Sequence, residues 1–472
     1  MYAKNRFPKT FDRYKDFVDL KALHTFSNKA LRKSLRVNVL KSSVLEVLEM
    51  AKKRGWKLSP VPWCSEGFFV DGVEESELGR DLLHRTGAYY LQEAASMLPV
   101  TLMDPKPGEA VLDMCAAPGS KTTQIASALQ GKGVIIANDP QERRLWVLKG
   151  ALHRMGVTNV IVTKRSGTAF GKMIEQFDRV LCDAPCTAQG TSRKDSDALL
   201  RSHEDGTQKM AGIQAQLLES AVHAAKIGGR IVYSTCTLTP EENELQMLKI
   251  LNTFSDQLEV VDPRTLVPGV LNTAVEDSLL VQKHLGIKDP KPFARLWPHR
   301  YDTEGFFAAV LQKKSSMRTP TEIEKIPFEE MPLSASKRKM IAEEIEEDFG
   351  TSFLDEDDLL FQKKELLFLL PKNAANLLLP FPNYALGLPY GKEKENRTRL
   401  SHEIISLRGL RAKKKIVHVK QADIETFKRG QTIDCSMELA GDAILLFDGY
   451  PLGMGMAKEG KIRHRFPANF LL

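Results

Sequence analysis

Cysteine is scarce: 472 residues hold six, at positions 64, 115, 182, 186, 236 and 435. None forms a Cys-x-x-Cys pair and no histidine separates Cys182 from Cys186, which excludes a disulfide scaffold and argues against a metal site. Long apolar runs are missing too. The first thirty residues carry Lys4, Arg6, Lys9, Arg13 and Lys15 without an apolar stretch, and no later run reaches the length of a membrane span. The expectation is a reducing, cytoplasmic setting with free thiols and no membrane partner. Neither charge sign dominates, since a net charge of +7 is small for this length and its distribution matters more than its size. Hydrophobic and charged shares of 42% and 27% suit an ordinary soluble globular protein.

The length predicts two to four domains. Residues 1–88 read as a small α+β module, with strands at 35–40 and 67–70 around a helix at 43–54, serving as a cap or an RNA contact. From 89 to 313, strands and helices alternate as in a parallel sheet, which predicts a doubly wound α/β core. Its strands are expected at 110–114, 134–138, 158–163, 178–183, 230–234, 258–261 and 305–311, and its main helices at 120–129, 140–155 and 208–226. Residues 314–358 read as a linker followed by an acidic segment, either a solvated face or a loose stretch, with nine carboxylates and no base between Glu343 and Asp358. Beyond 359 a mixed α/β domain is expected, basic at Lys392, Lys394, Arg397, Arg399, Arg408, Arg411 and Lys413 to Lys415.

Two apolar runs end in cysteine: Phe-Asp-Arg-Val-Leu-Cys-Asp-Ala-Pro-Cys (177–186) and Gly-Gly-Arg-Ile-Val-Tyr-Ser-Thr-Cys (228–236). In an open α/β sheet the ligand crevice lies at the carboxyl ends of the strands, so Cys186 and Cys236 are expected at one crevice. Upstream, a strand ending at Asp113 leads into Met-Cys-Ala-Ala-Pro-Gly-Ser-Lys (114–121), which is neither a dinucleotide nor a P-loop fingerprint. Small side chains at Ala116, Ala117 and Gly119 would let the backbone approach a ligand, and Ser120 would cap the next helix. Asp139, ending the following strand, would either accept hydrogen bonds from ribose hydroxyls or cap the helix opening at Pro140. These parts suit an adenosine cofactor without a pyrophosphate, of which S-adenosylmethionine is the common one.

A thiolate adds well to a soft electrophile such as C6 of a pyrimidine, and the adduct activates C5 for methylation. Asp183 would hold the cytosine edge or stabilise charge on the ring. Cys182, Cys64 and Cys435 read as packing residues, and Cys115 as part of the cofactor-loop wall.

Five segments together resemble the Sun family of RNA cytosine-5 methyltransferases, with the bacterial 16S ribosomal RNA type nearest. They are Tyr-Leu-Gln-Glu-Ala-Ala-Ser-Met (90–97), Asp-Met-Cys-Ala-Ala-Pro-Gly-Ser-Lys-Thr (113–122), Asp-Ala-Pro-Cys-Thr-Ala-Gln-Gly-Thr-Ser-Arg-Lys-Asp (183–195), Tyr-Ser-Thr-Cys-Thr-Leu-Thr-Pro-Glu-Glu-Asn-Glu (233–244) and Arg-Leu-Trp-Pro-His-Arg-Tyr-Asp-Thr-Glu-Gly-Phe-Phe (295–307). The resemblance implies a Rossmann-like methyltransferase core, S-adenosylmethionine as cofactor, Cys236 as nucleophile and Cys186 as the residue assisting release. It also implies catalytic roles for Asp183 and Lys121, and a cofactor site from Cys115, Ala116, Ala117, Pro118, Gly119, Ser120, Lys121, Asp139, Ser166 and Asp183. Two departures stand out: Ser166 replaces a common acidic residue near the adenine, and Thr187-Ala188-Gln189 replaces the usual Ser-Gly-Glu/Asp. Gly-Tyr-Pro-Leu-Gly-Met-Gly (449–455) and the basic residues after it resemble the tail of the ribosomal RNA members, so the C-terminal domain is expected to bind RNA. Ribosomal RNA is the expected partner and a monomer the expected state. Transfer RNA is the alternative substrate, and an inactive RNA-binding assembly factor the alternative class.

Overall fold

The computed structural model describes residues 11–195, 198, 204–319, 324–395, 397–467 and 470–471. Continuous β-branched runs build its centre. Val134–Asn138 is buried along its whole length and can only sit inside a sheet covered on both faces. The core strands are β1 (Ala110–Asp113), β2 (Val134–Asn138), β3 (Val160–Thr163), β4 (Phe177–Asp183), β5 (Ala225–Thr235), β6 (Leu258–Val261) and β7 (Phe306–Lys313). Their order is β6-β7-β5-β4-β1-β2-β3, parallel from β5 to β3, with β7 antiparallel to both of its neighbours. The chain reverses its winding between β1 and β4, and the crevice opens there, at their carboxyl ends. The expected α/β core with all seven strands is therefore present. Four helices matter to the site: α1 (Ser120–Ala128), α2 (Glu142–Met155), α3 (Glu204–Ala224) and α4 (Glu244–Thr253). In α2, Leu145, Leu148, Leu152 and Met155 form the buried stripe, and Gly156 ends the helix at φ 75°.

A four-stranded antiparallel sheet in the order Lys57–Val61, Cys64–Asp71, Lys33–Val37, Tyr89–Leu91 precedes the core. Helix Val44–Lys53 covers it, opened by a Ser43/Glu46 capping box and burying Val47, Met50 and Ala51 against Leu35, Val37, Phe68 and Val70. The segment before this sheet does something else: Phe11, Tyr14, Phe17 and Leu23 pack against Leu238, Val281 and Trp297 of the core.

Two five-stranded sheets follow β7, one beginning at Met331–Pro332 and one at Ile416–His418. Here the sequence reading needs correction. Of the two readings of the acidic stretch the loose segment fails and the solvated face fits its first part, because Ala335–Phe349 is a helix whose Ile341, Ile345 and Phe349 are buried beside Leu360, Leu369 and Ile404. Its carboxylates and those just after it hold basic side chains: Asp348 pairs with Lys415, Asp355 with Arg408 and Arg411, and Asp358 with Arg408. Three of the nine basic residues expected there, Arg408, Arg411 and Lys415, are thereby paired. A second finding had no signal in the sequence. The two-residue strand Ala385–Leu386 pairs antiparallel with β3 and closes that edge of the core sheet. Lys41 adds a joint, its Nζ donating to Thr86 O (2.9 Å), Arg154 O (2.7 Å) and Ser406 Oγ (2.8 Å).

Candidate active site

Pairing of β4 with β5 sets Asp183 opposite Ser234, so the loops leaving the two strands start side by side. The consequence is direct contact between the thiols, with Cys186 Sγ 3.4 Å from Cys236 Sγ. Three backbone segments meet behind them. Gly190 N–H donates to Cys236 O and Gly305 N–H to Gly190 O, each at 2.9 Å. A Cβ on Gly190 would lie 2.1 Å from Gly305 O and 2.7 Å from Cys236 O, so only glycine fits. Hydrogen bonding with Cys236, then burial, pushes the Cys186 thiol well up, so Cys186 holds its proton. Burial first, then neighbouring Cys182, does the same to Cys115, whose side chain belongs to the wall.

Asp183 accepts from Lys121 Nζ (2.8 Å) and from Ser234 Oγ (2.6 Å). Burial opposes the charge on Lys121, but Asp183 outweighs it and the ammonium is held more firmly than usual. Asp113 lies below them, its Oδ2 taking the Thr122 hydroxyl at 2.8 Å while its buried Oδ1 has no hydrogen-bond partner.

The cofactor loop differs in detail from expectation. Ser120 is the first helical residue of α1 rather than its cap; Gly119, at φ 109°, holds the cap position and offers no side-chain oxygen. Its missing Cβ makes room for α2, since one would sit 3.0 Å from Leu148 Cδ1 and 3.2 Å from Ala151 Cβ. The smallness of Gly119 serves helix packing. Ala116 and Ala117 are buried and Pro118 is exposed. Asp139 Oδ1 accepts from Gln141 N at 2.9 Å, the turn contact, while its buried Oδ2 lies 2.8 Å from Arg144 Nη1 without an aligned hydrogen bond. Ser166 is exposed, with its Oγ 2.7 Å from Thr168 Oγ1.

Several organising residues carried no assigned role in the sequence. Buried Glu242 receives Thr187 N–H (3.0 Å), the Thr187 hydroxyl, Thr239 Oγ1 (2.8 Å) and Gln214 Nε2 (2.8 Å), tying the loop after Cys186 to the loop after Cys236. Buried Asn138 donates to Met114 O and Arg165 O, both at 3.0 Å, and so joins the loops that follow β1, β2 and β3. From the N-terminal segment, Tyr14 OH donates to Gln189 Oε1 at 2.6 Å, both side chains buried. Arg36, also fully buried, grips the first turn of α1 through Ser120 O (3.1 Å) and Thr123 Oγ1 (2.9 Å). Glu242 and Gln189 could have been suspected, because each stands inside a recognised motif.

A sheet wound in this way, with a small-residue loop after its first strand and paired thiols beyond its fourth and fifth, defines the class: an α/β methyltransferase. Residues 100–312 match the family model of the 16S rRNA methyltransferase RsmB/F, and residues 7–94 match that of the N-terminal domain of 16S rRNA methyltransferase RsmF. Ribosomal RNA small subunit methyltransferase F of Aeromonas salmonicida (strain A449) is 35% identical over 448 residues, covering 93% of this chain and 90% of the relative. Its Escherichia coli O1:K1 / APEC counterpart is 33% identical over 445 residues with the same coverage. Among solved structures, a methyltransferase homolog protein from Pyrococcus horikoshii aligns with a TM-score of 0.56 at 35% identity, over 66% of this chain and 96% of that one. The chain belongs to the ribosomal RNA small subunit methyltransferase F family. Among the described residues, no helix is long and apolar enough to cross a membrane, and no group of three or more His, Cys, Asp or Glu side chains could hold a metal ion.

Proposed function

We propose that the protein methylates C5 of a cytosine in 16S ribosomal RNA, with S-adenosylmethionine as methyl donor and a covalent enzyme–RNA adduct on the path. The observation carrying this reading is the 3.4 Å contact between two thiols beside the Lys121–Asp183 pair, in a chain of this family. The names of the relatives favour small-subunit ribosomal RNA over transfer RNA.

The crevice residues fit the cofactor. Asp139 Oδ2 and Asp113 Oδ1 are buried carboxyl oxygens without aligned partners, which suits the hydroxyls and amines of an adenosine compound. Residues 115–121 would line its methionine end, Asp139 its ribose and Ser166 its adenine. Bound there, it supplies an electrophilic methyl group. Cys236 attacks C6 of the pyrimidine as thiolate, assisted by Cys186, which keeps its own proton and donates a hydrogen bond. Asp183, held by Lys121 and Ser234, accepts from the exocyclic amine of the base. Cys186 then passes its proton to the departing Cys236 sulfur and takes up the C5 proton, as C5=C6 re-forms and the S–C6 bond breaks.

Mutating each thiol separates the roles. Full-length Cys186→Ala, given S-adenosylmethionine and 16S RNA from cells lacking the gene, should accumulate a protein–RNA complex that survives denaturing electrophoresis. Cys236→Ala and the double variant should trap nothing, and bisulfite sequencing should find the target unmodified. A trap in Cys236→Ala but not in Cys186→Ala would reverse the assignment, and full activity in both would remove the cysteine mechanism.

A further inference from the structure

One buried acid at the crevice has no part in the chemistry above. Glu304 precedes Gly305, whose N–H is joined through Gly190 to the carbonyl of Cys236. Its side chain is only 7% exposed and its Oε1 has no hydrogen-bond partner. Two residues on, Phe306 lies under Lys121, whose Nζ is 5.5 Å from the ring centroid and whose charge also acts on Glu304. The backbone N–H of Glu304 donates to Glu93 Oε1 at 3.1 Å, which brings a second carboxyl alongside.

The groups facing Glu304 are Glu93 from the loop after Tyr89–Leu91, Lys121 from α1, and Arg193 and Lys194 from the loop after Cys186. Most of this positive charge is spent elsewhere: Lys121 is bound to Asp183, and Arg193 donates to Asp302 (2.7 Å) and to Thr303 O (3.1 Å). Burial first, then Glu93, pushes the Glu304 carboxyl up to about 8, so it carries a proton in neutral solution.

A cytosine under attack at C6 needs such a group. As the S–C6 bond forms, the C5=C6 pair shifts to C4=C5 and the C4=N3 pair moves onto N3, which must take up a proton. Asp183 cannot supply it, being an acceptor already bound to a cation and a hydroxyl. Lys121 is a poor source because Asp183 strengthens its hold on its own proton.

Resting on the cytosine reading above, we propose that Glu304 is the acid that contacts N3 of the target cytosine and delivers its proton as Cys236 attacks. After C5 has taken the methyl group, N3=C4 re-forms and the proton returns to the Glu304 carboxylate. The same contact discriminates against uracil, whose N3–H would meet a donor with a donor.

The test follows adduct formation in full-length protein carrying Cys186→Ala, with 16S RNA from cells lacking the gene as probe. Rates are measured from pH 6 to pH 9.5, alone and combined with E304Q or E304A. The rate in the parent should fall as pH rises above about 8, where Glu304 loses its proton. E304A should be slower by about 100-fold at neutral pH, the range of a lost general acid. E304Q, which keeps a donor of the same shape but cannot titrate, should be slower by about 10-fold and should lack the alkaline fall. S-adenosylmethionine affinity by calorimetry should be unchanged in both. An E304Q profile that matches the parent in rate and pH dependence overturns the proposal while leaving the cytosine reading intact. If the Cys186→Ala parent traps no RNA, that reading fails and the proposal falls with it.

Discussion

Asp113 ends β1 with its carboxyl buried, and burial, reinforced by Asp183, pushes it up to about 7 from an ordinary 3.8. The folded protein therefore holds this proton to higher pH than the unfolded chain does. The resulting stabilisation is complete below the ordinary carboxylate range and fades as pH rises through about 7. Asp113→Asn should remove the fade, giving a flatter melting temperature between pH 4 and 7 by calorimetry; parallel wild-type and variant curves would show that another group titrates. Tyr14 makes a different demand. Tyr14→Phe leaves Gln189 Oε1 buried without its donor, at a cost of about 1 kcal/mol, so kcat should fall about 5-fold while cofactor affinity holds. An unchanged kcat would mean that the loop after Cys186 keeps its place unaided. No pattern in the sequence announces this contact, which joins residues 175 apart. Cys186, Cys236, Lys121 and Asp183 were legible because strand ends in a parallel sheet converge on one crevice, and because their motifs are distinctive.

Among the elements, the core strands could be read directly, since runs such as Val134–Asn138 are apolar on both faces and have no other stable setting. Helix Ala335–Phe349 was hidden for a physical reason: its carboxylates outnumber the three large apolar residues that fix it in the core. Ile345→Asp would put an unpaired carboxylate among Leu360, Leu369 and Ile404 and should lower stability by about 3 kcal/mol or more, seen as an earlier urea midpoint. The loop glycines divide by cause. Gly119 yields to a neighbouring helix, whereas Gly190 yields to two carbonyl groups that cannot move without moving Cys236. Gly190→Ala should accordingly abolish adduct formation, and normal trapping in that variant would contradict the tight meeting of the three backbone segments.

At the scale of the molecule, the sequence suggested separable units and the contacts join them. Lys41, from the N-terminal sheet's connecting segment, binds acceptors on Thr86, Arg154 and Ser406 together. Lys41→Met strands Arg154 O, while the Ser406 hydroxyl still donates to Thr86 O (2.9 Å), and should cost about 1–3 kcal/mol, measured as a shift of one cooperative transition. Separate early melting of one unit would argue against the joint. Truncation near residue 339 is for the same reason a poor test of RNA binding by the C-terminal sheets, because it removes Leu386 and Phe381 and so uncovers β3 and the core residues they cover, such as Ile161 and Phe170. Charge reversal at exposed Arg397 and Arg463 leaves the packing intact; if these sheets grip RNA, it should reduce the steepness with which affinity falls as salt is raised.

The pairing of Ala385–Leu386 with β3 also orders events during synthesis. Residues 160–163 leave the ribosome long before residues 385–386 are made, so the nascent core presents an open, apolar edge for much of translation. Such an edge recruits other strands, its own kind included. The newborn chain thus carries an unpaired edge until its distant closing strand arrives, and slow translation between these two points should raise the share of chains lost to aggregation.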